Sequence, residues 1–92
     1  MSVTVRVPTV LKKSTGDSSE LEVTAGTIRD ILAELTRRYP DFGGKVLEAS
    51  GKVRLYLNVY LNGDDIRFAQ ELDTPAKDGD EIAIVPSVAG GR

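Results

Sequence analysis

Apolar residues change their period several times along this chain, and each change marks an element. Val3, Val5 and Val7 alternate with Ser2, Thr4 and Arg6, the two-residue period of a half-buried strand. Pro8 ends that strand or confines it to an edge. The polar stretch from Lys12 to Ser19, with Gly16-Asp17 as a turn signal, reads as a loop. Leu21 and Val23, flanked by Glu20, Glu22 and Thr24, make a second strand that pairs with the first as a hairpin. The period then lengthens: Ile28, Ile31, Leu32 and Leu35 fall at i, i+3, i+4 and i+7, the apolar stripe of a helix. Thr27 stands at the N-cap, Asp30 faces the positive end of the dipole, and Arg37 and Arg38 occupy the last turn. With Pro40 as the stop, the pattern predicts a helix over residues 28–39.

Residues 41–52 include Gly43, Gly44 and Gly51 and keep no period, so they predict a loop with one helical turn near Val46-Leu47. The longest alternation follows. Val53, Leu55, Leu57, Val59 and Leu61 alternate with Arg54, Tyr56, Asn58 and Tyr60, predicting a strand over 53–61 whose Leu and Val face meets the helix. Asn62-Gly63 is a strong hairpin signal, Asp64-Asp65 completes the turn, and Ile66-Arg67-Phe68 returns as a short strand. Asp73-Thr74-Pro75 marks a turn, and Asp78-Gly79-Asp80 turns tightly into a last strand over 82–85, with Ile82 and Ile84 inward. The order is strand, strand, helix, strand, strand, strand. That order implies an α+β fold with one main helix packed on one face of a mixed sheet. The helical crossover rules out a simple meander.

Composition narrows the chemistry. Ninety-two residues suit one domain, expected over residues 1–86, with residues 87–92 as a flexible tail. The chain has no Cys and no His, which excludes thiol nucleophiles, disulfides, Ser-His and Cys-His arrangements, and zinc sites with those ligands. Its net charge is -2 with both signs interspersed, so no basic stripe suggests nucleic acid. The first residues lack the layout of a signal peptide, and no apolar run has membrane-spanning length. A cytoplasmic protein that binds neither nucleic acid nor membrane is the expectation. The acidic clusters Asp64-Asp65 and Asp78-Gly79-Asp80-Glu81 lack EF-hand spacing and coincide with turns, so no metal site is assigned. Without a cleft or a poised base, the chain is expected not to be an enzyme.

Two features remain as candidate interaction sites. The outward face of the 53–61 strand presents Arg54, Tyr56, Asn58 and Tyr60, and the last strand adds Ala83 and Val85; of these, Tyr56, Tyr60, Ala83 and Val85 are the candidate partner-binding surface, amphipathic as such surfaces are. An open sheet also carries such residues with no partner at all. Beyond that strand, Val88-Ala89-Gly90-Gly91-Arg92 has no packing need for paired glycines. A side-chain-free tail, however, can thread into a narrow active site on another protein.

The run from Leu57 to Arg67, then Asp73-Thr74-Pro75, then Asp78 to Gly91, together with Val3-Thr4-Val5 and Pro8 to Leu11, resembles the ubiquitin-like sulfur-carrier family of ThiS/MoaD type. The likeness spans essentially the whole chain and leans towards the CysO-type carriers of actinobacterial cysteine biosynthesis. It implies a β-grasp fold and a chemistry located at Gly91, with Val88, Ala89 and Gly90 as the threading segment. It also implies three partners: a ubiquitin-activating-like adenylyltransferase/sulfurtransferase that uses ATP, a pyridoxal-phosphate-dependent cysteine synthase, and a metallopeptidase. No cofactor is expected on the carrier itself, and a monomer is the default. Arg92 departs from the pattern, because while it is attached the Gly91 carbonyl is an amide. The resemblance therefore implies that Arg92 is removed by processing. A molybdopterin synthase small subunit of MoaD type, or a ubiquitin-like modifier or binding module, are the alternatives.

Overall fold

Strand β1 (Ser2–Arg6) pairs antiparallel with β2 (Glu20–Thr24), setting Val3 opposite Val23 and Val5 opposite Leu21, all four buried. The computed structural model describes residues 2–87. β1 also pairs in parallel with the last strand, β7 (Glu81–Pro86), and β7 pairs antiparallel with β4 (Leu57–Leu61). A two-residue strand β5 (Asp64–Asp65) completes the order β2-β1-β7-β4-β5. Outside this sheet, β3 (Gly26–Thr27) pairs with β6 (Pro75–Ala76). The parallel pairing of first and last strands makes the sheet mixed, and the helix crosses over one face, the β-grasp arrangement expected from the element order.

Helix α1 (Ile28–Arg38) starts where the sequence places it. The Asp30 N–H donates to Thr27 Oγ1 at 3.1 Å and the Thr27 N–H donates to Asp30 Oδ2 at 3.2 Å, a reciprocal capping box. Ile28, Ile31, Leu32 and Leu35 are buried against the sheet. Val3, Val5, Ile28, Leu35, Phe42, Val46 and Ile82 have no exposed surface, and they mark the centre of the core between α1 and the sheet.

The structure corrects four expectations. Pro40 does not end the helical region; it opens a second helix, α2 (Pro40–Val46), where predicted loop stands. Proline suits a first helical position because its missing N–H has no partner to lose. Only Phe42 and Val46 are fully buried apolar residues on α2, a stripe too short to show a period, and two glycines obscure it. Gly43 is there for contact: a Cβ would stand 2.6 Å from Thr36 Cγ2, so its absence lets α2 close on α1. Residues 9–15, partly predicted as loop, form 3-10 turns that bury Leu11, Ser14 and Thr15. Thr15 Oγ1 makes that burial tolerable by bonding the Lys12 and Ser18 carbonyls.

The third correction concerns the longest alternation. β4 begins at Leu57, not Val53. Val53 forms an isolated bridge with Leu47, and the Leu57 N–H donates to the Arg54 carbonyl, so the chain turns between them. Leu55, expected in the core, is 90% exposed. An alternating pattern cannot distinguish one strand from a bridge, a turn and a strand in succession. The fourth is Ile66–Phe68, a 3-10 turn where a strand was expected. Asp65 Oδ1 accepts from the Arg67 N–H at 2.9 Å and caps that turn, which swings Ile66 into the core and leaves Phe68 exposed.

Candidate docking face and tail root

The register of the sheet assembles a row of side chains on the face away from α1. Glu20 lies opposite Arg6, Arg6 opposite Ala83, Ala83 opposite Tyr60, and Tyr60 opposite Asp65. Val85 and Asn58 form the next pair along β7 and β4. Because Val5, Ile82, Ile84, Leu57 and Val59 point into the core, alternation places this row on the opposite face.

Charges at both ends of the row are paired within the fold. Arg6 bridges Glu20 at 3.2 Å and also pairs with Glu81. Arg67 Nη2 reaches Asp65 Oδ2 at 2.7 Å. The Arg67 side chain, and then its backbone N–H, hold the Asp65 carboxyl below the usual carboxylate range; in return Asp65 raises the Arg67 guanidinium further. Tyr60, Ala83 and Val85 are thus an aromatic and apolar centre inside a rim of satisfied charges, the layout of a partner-binding patch.

Tyr56 sits elsewhere. It precedes β4, and its hydroxyl donates to the Lys45 carbonyl at the end of α2 at 3.2 Å. Its own carbonyl accepts from the Ser87 N–H at 2.7 Å. So the structure brings Tyr60, Ala83 and Val85 together and places Tyr56 at the root of the tail. Val88, Ala89, Gly90, Gly91 and Arg92 lie outside the described residues.

Asn58 joins the face as the strand alternation predicts, and Arg6, Asp65 and Arg67 join it although sequence reasoning did not select them. Only the parallel β1–β7 pairing and the Asp65 cap bring them in. The acidic clusters are engaged in turns. Asp80 accepts from the Lys77 N–H at 2.8 Å and from Asn62 Nδ2 at 3.1 Å, and these bonds hold its carboxyl below the usual range, the Lys77 bond most. Asn62 Oδ1 in turn accepts from the Glu81 N–H at 2.9 Å, which ties the Asn62-Gly63 turn to the start of β7. Asp78 Oδ1 accepts from the Ser2 N–H. Among the described residues, no three His, Cys, Asp or Glu side chains are grouped to hold a metal ion, and no helix is long and apolar enough to cross a membrane.

The ThiS family model matches residues 5–91. The chain belongs to the ThiS family. It is 34% identical to the sulfur carrier protein CysO of Mycobacterium tuberculosis, covering 99% of this chain and 100% of that protein. CysO from Amycolatopsis orientalis, solved in complex with BexX, superposes with a TM-score of 0.87 at 35% identity, covering 97% of this chain and 99% of that one. The small archaeal modifier protein 1 of Methanosarcina acetivorans superposes with a TM-score of 0.84 at 31% identity, covering 98% of this chain and 96% of that one. Like these neighbours, the chain has a β-grasp fold.

Proposed function

We propose that this ThiS-family chain is a sulfur carrier whose reactive atom is borne on Gly91. The supporting observation is the extent of the family match, which runs through Gly90-Gly91 and stops before Arg92. Removal of Arg92 frees the Gly91 carboxylate. A carboxylate is a poor electrophile, so an ATP-dependent adenylyltransferase/sulfurtransferase first activates it. A Gly91 carboxylate oxygen attacks the α-phosphorus of ATP and pyrophosphate leaves. A sulfur donor then displaces AMP, leaving a glycyl thiocarboxylate. Its anionic sulfur is nucleophilic near neutral pH, as a thiolate is. The similarity to CysO supports an acceptor in the synthesis of cysteine or a related sulfur metabolite, formed on a pyridoxal-phosphate enzyme, with a metallopeptidase trimming the tail. The carrier contributes the tail and a docking face, and ATP is used by its partner.

In this reading the Tyr60, Ala83 and Val85 patch docks on the activating enzyme, and Tyr56 steers the tail from its root. Val85→Asp weakens that docking while the fold persists, because Ile82 and Ile84 keep the core contacts of β7. The test is an intact mass of the protein from its native cells. Loss of Arg92 with one oxygen replaced by sulfur supports the carrier. A chain that keeps Arg92 and carries no sulfur overturns it. The likeness to an archaeal modifier favours a second reading, in which Gly91 is joined to lysines; an isopeptide-linked conjugate would select that one.

A further inference from the structure

A groove of about 230 Å³ runs along β4 on the side away from β7, between residues 52–55 and the turns of residues 66–72. β5 pairs with β4 only at Tyr60 and Leu61, so among the described residues no strand flanks Leu57–Val59 on that side. The bonds from Ser87 N to Tyr56 O and from Asn62 N to Glu81 O show that even-numbered residues bond towards β7. Strand alternation therefore turns the backbone groups of Leu57 and Val59 towards the groove. The Leu57 N–H is taken by the Arg54 carbonyl. The Leu57 carbonyl and the Val59 N–H and carbonyl face the position where a neighbouring strand would lie.

The side chains add an apolar surface and a charge. Leu55, at 90% exposure the most exposed large apolar residue described, lines the groove with Ile66 and Leu72. Arg67 is paired with Asp65. Arg54 donates through Nε and Nη2 to the neutral Gly44 carbonyl at 3.0 and 2.8 Å, which leaves its charge uncancelled. No ion pair joins a described carboxylate to Lys52 or Arg54. In a chain of net charge -2, one wall of this groove thus holds two cations outside any described ion pair beside an exposed leucine, with Glu71 among the residues of the other wall.

We propose that the groove is a docking site for an extended acidic segment of a partner protein. The segment adds to β4 at Leu57–Val59 as a strand. It sets one apolar side chain against Leu55, Ile66 and Leu72, and an aspartate or glutamate against Lys52 and Arg54. The groove borders the Tyr60 face and shares Asn58, Asp65 and Arg67 with it, but Tyr60, Ala83 and Val85 do not line it. Its test involves no sulfur transfer and stands or falls separately from the carrier reading.

The experiment is an NMR titration of the full chain with a blocked pentapeptide, Asp-Leu-Val-Leu-Asp, against the same peptide with lysine at both ends. The acidic peptide is expected to shift amides of residues 52–59 and 66–72, and the lysine peptide to leave them in place. Lys52→Glu and Leu55→Asp, each on an exposed side chain, should each weaken the acidic peptide about tenfold. No shifts, shifts confined to the Tyr60 and Ala83 face, or equal shifts with both peptides overturn the proposal. So does a chain ending at Ser87 whose groove amides differ from those of the full chain, because the occupant is then the protein's own tail.

Discussion

The two lateral edges of the sheet are finished in opposite ways. On the β2 edge, the Thr24 N–H donates to Glu34 Oε1 at 3.2 Å, and Arg38 Nη1 donates to the Glu22 carbonyl at 2.9 Å. Glu34 and Arg38 sit one turn apart on α1 and also pair with each other at 3.4 Å. The helix that fills the core therefore also occupies two outward backbone groups of the edge strand, the Thr24 N–H and the Glu22 carbonyl. On the far edge, β5 lasts two residues before Asp65 caps a 3-10 turn, and among the described residues part of β4 is left without a strand neighbour on that side. An unpaired strand edge invites another strand. One edge of this molecule is partly covered by α1 and the other is not, so the strand addition proposed above falls on the β4 side.

The largest effect should separate the packed side from the open one. Ile31→Ala, at 1% exposure, is expected to cost about 3 kcal/mol in denaturant unfolding, whereas Leu55→Ala should change stability by less than about 0.5 kcal/mol. Equal losses would remove the contrast. Next comes Gly43→Ala, expected to cost about 1–3 kcal/mol because the new methyl meets Thr36. Thr36→Ala in the same chain should recover part of it, because Oγ1 and Cγ2 are the nearest atoms. Failure to recover would place the strain elsewhere.

Unsealing the β2 edge should have a smaller effect on stability. Glu34→Ala with Arg38→Ala is expected to cost less than about 1 kcal/mol, as exposed pairs do, yet to increase self-association in light scattering at high concentration. An unchanged monomer would show that these side chains do not protect the edge. The smallest effect concerns acid. Asp41, Asp65 and Asp80 all have carboxyls held below their ordinary value of 3.8: Asp41 chiefly by the Ser14 hydroxyl, Asp65 by Arg67 and Asp80 by the Lys77 N–H. A carboxyl depressed in the folded state binds its proton later than in the unfolded chain. Its contribution is therefore present above about pH 4 and is lost as the pH falls through the lowered values. Asp80→Asn should flatten the acid limb of a stability-against-pH curve, and an unaltered limb would deny its part in the turn.

Much of this molecule is legible in the chain because the signals are local. The capping box of Thr27 and Asp30 joins residues three apart, the α1 stripe repeats within one helix, and Asn62-Gly63 adopts positive φ values of 51° and 91° that its residue types favour. Val3, Val5, Ile82 and Ile84 declare their inward face by alternation alone. The Gly90-Gly91 pair was legible as a sequence feature for a related reason: its significance lies in having no side chains. What the chain by itself did not determine is whatever depends on a distant contact. α2 exists because Phe42 and Val46 find the core and Gly43 fits against Thr36. Leu55 is outside because Val53 bridges Leu47 and the chain turns before β4. The Glu20, Arg6, Ala83, Tyr60, Asp65 row exists only because the first and last strands lie side by side. Period and propensity report a residue's neighbours in sequence, while register, edge and groove are set by residues tens of positions away, and those only the packed structure brings together.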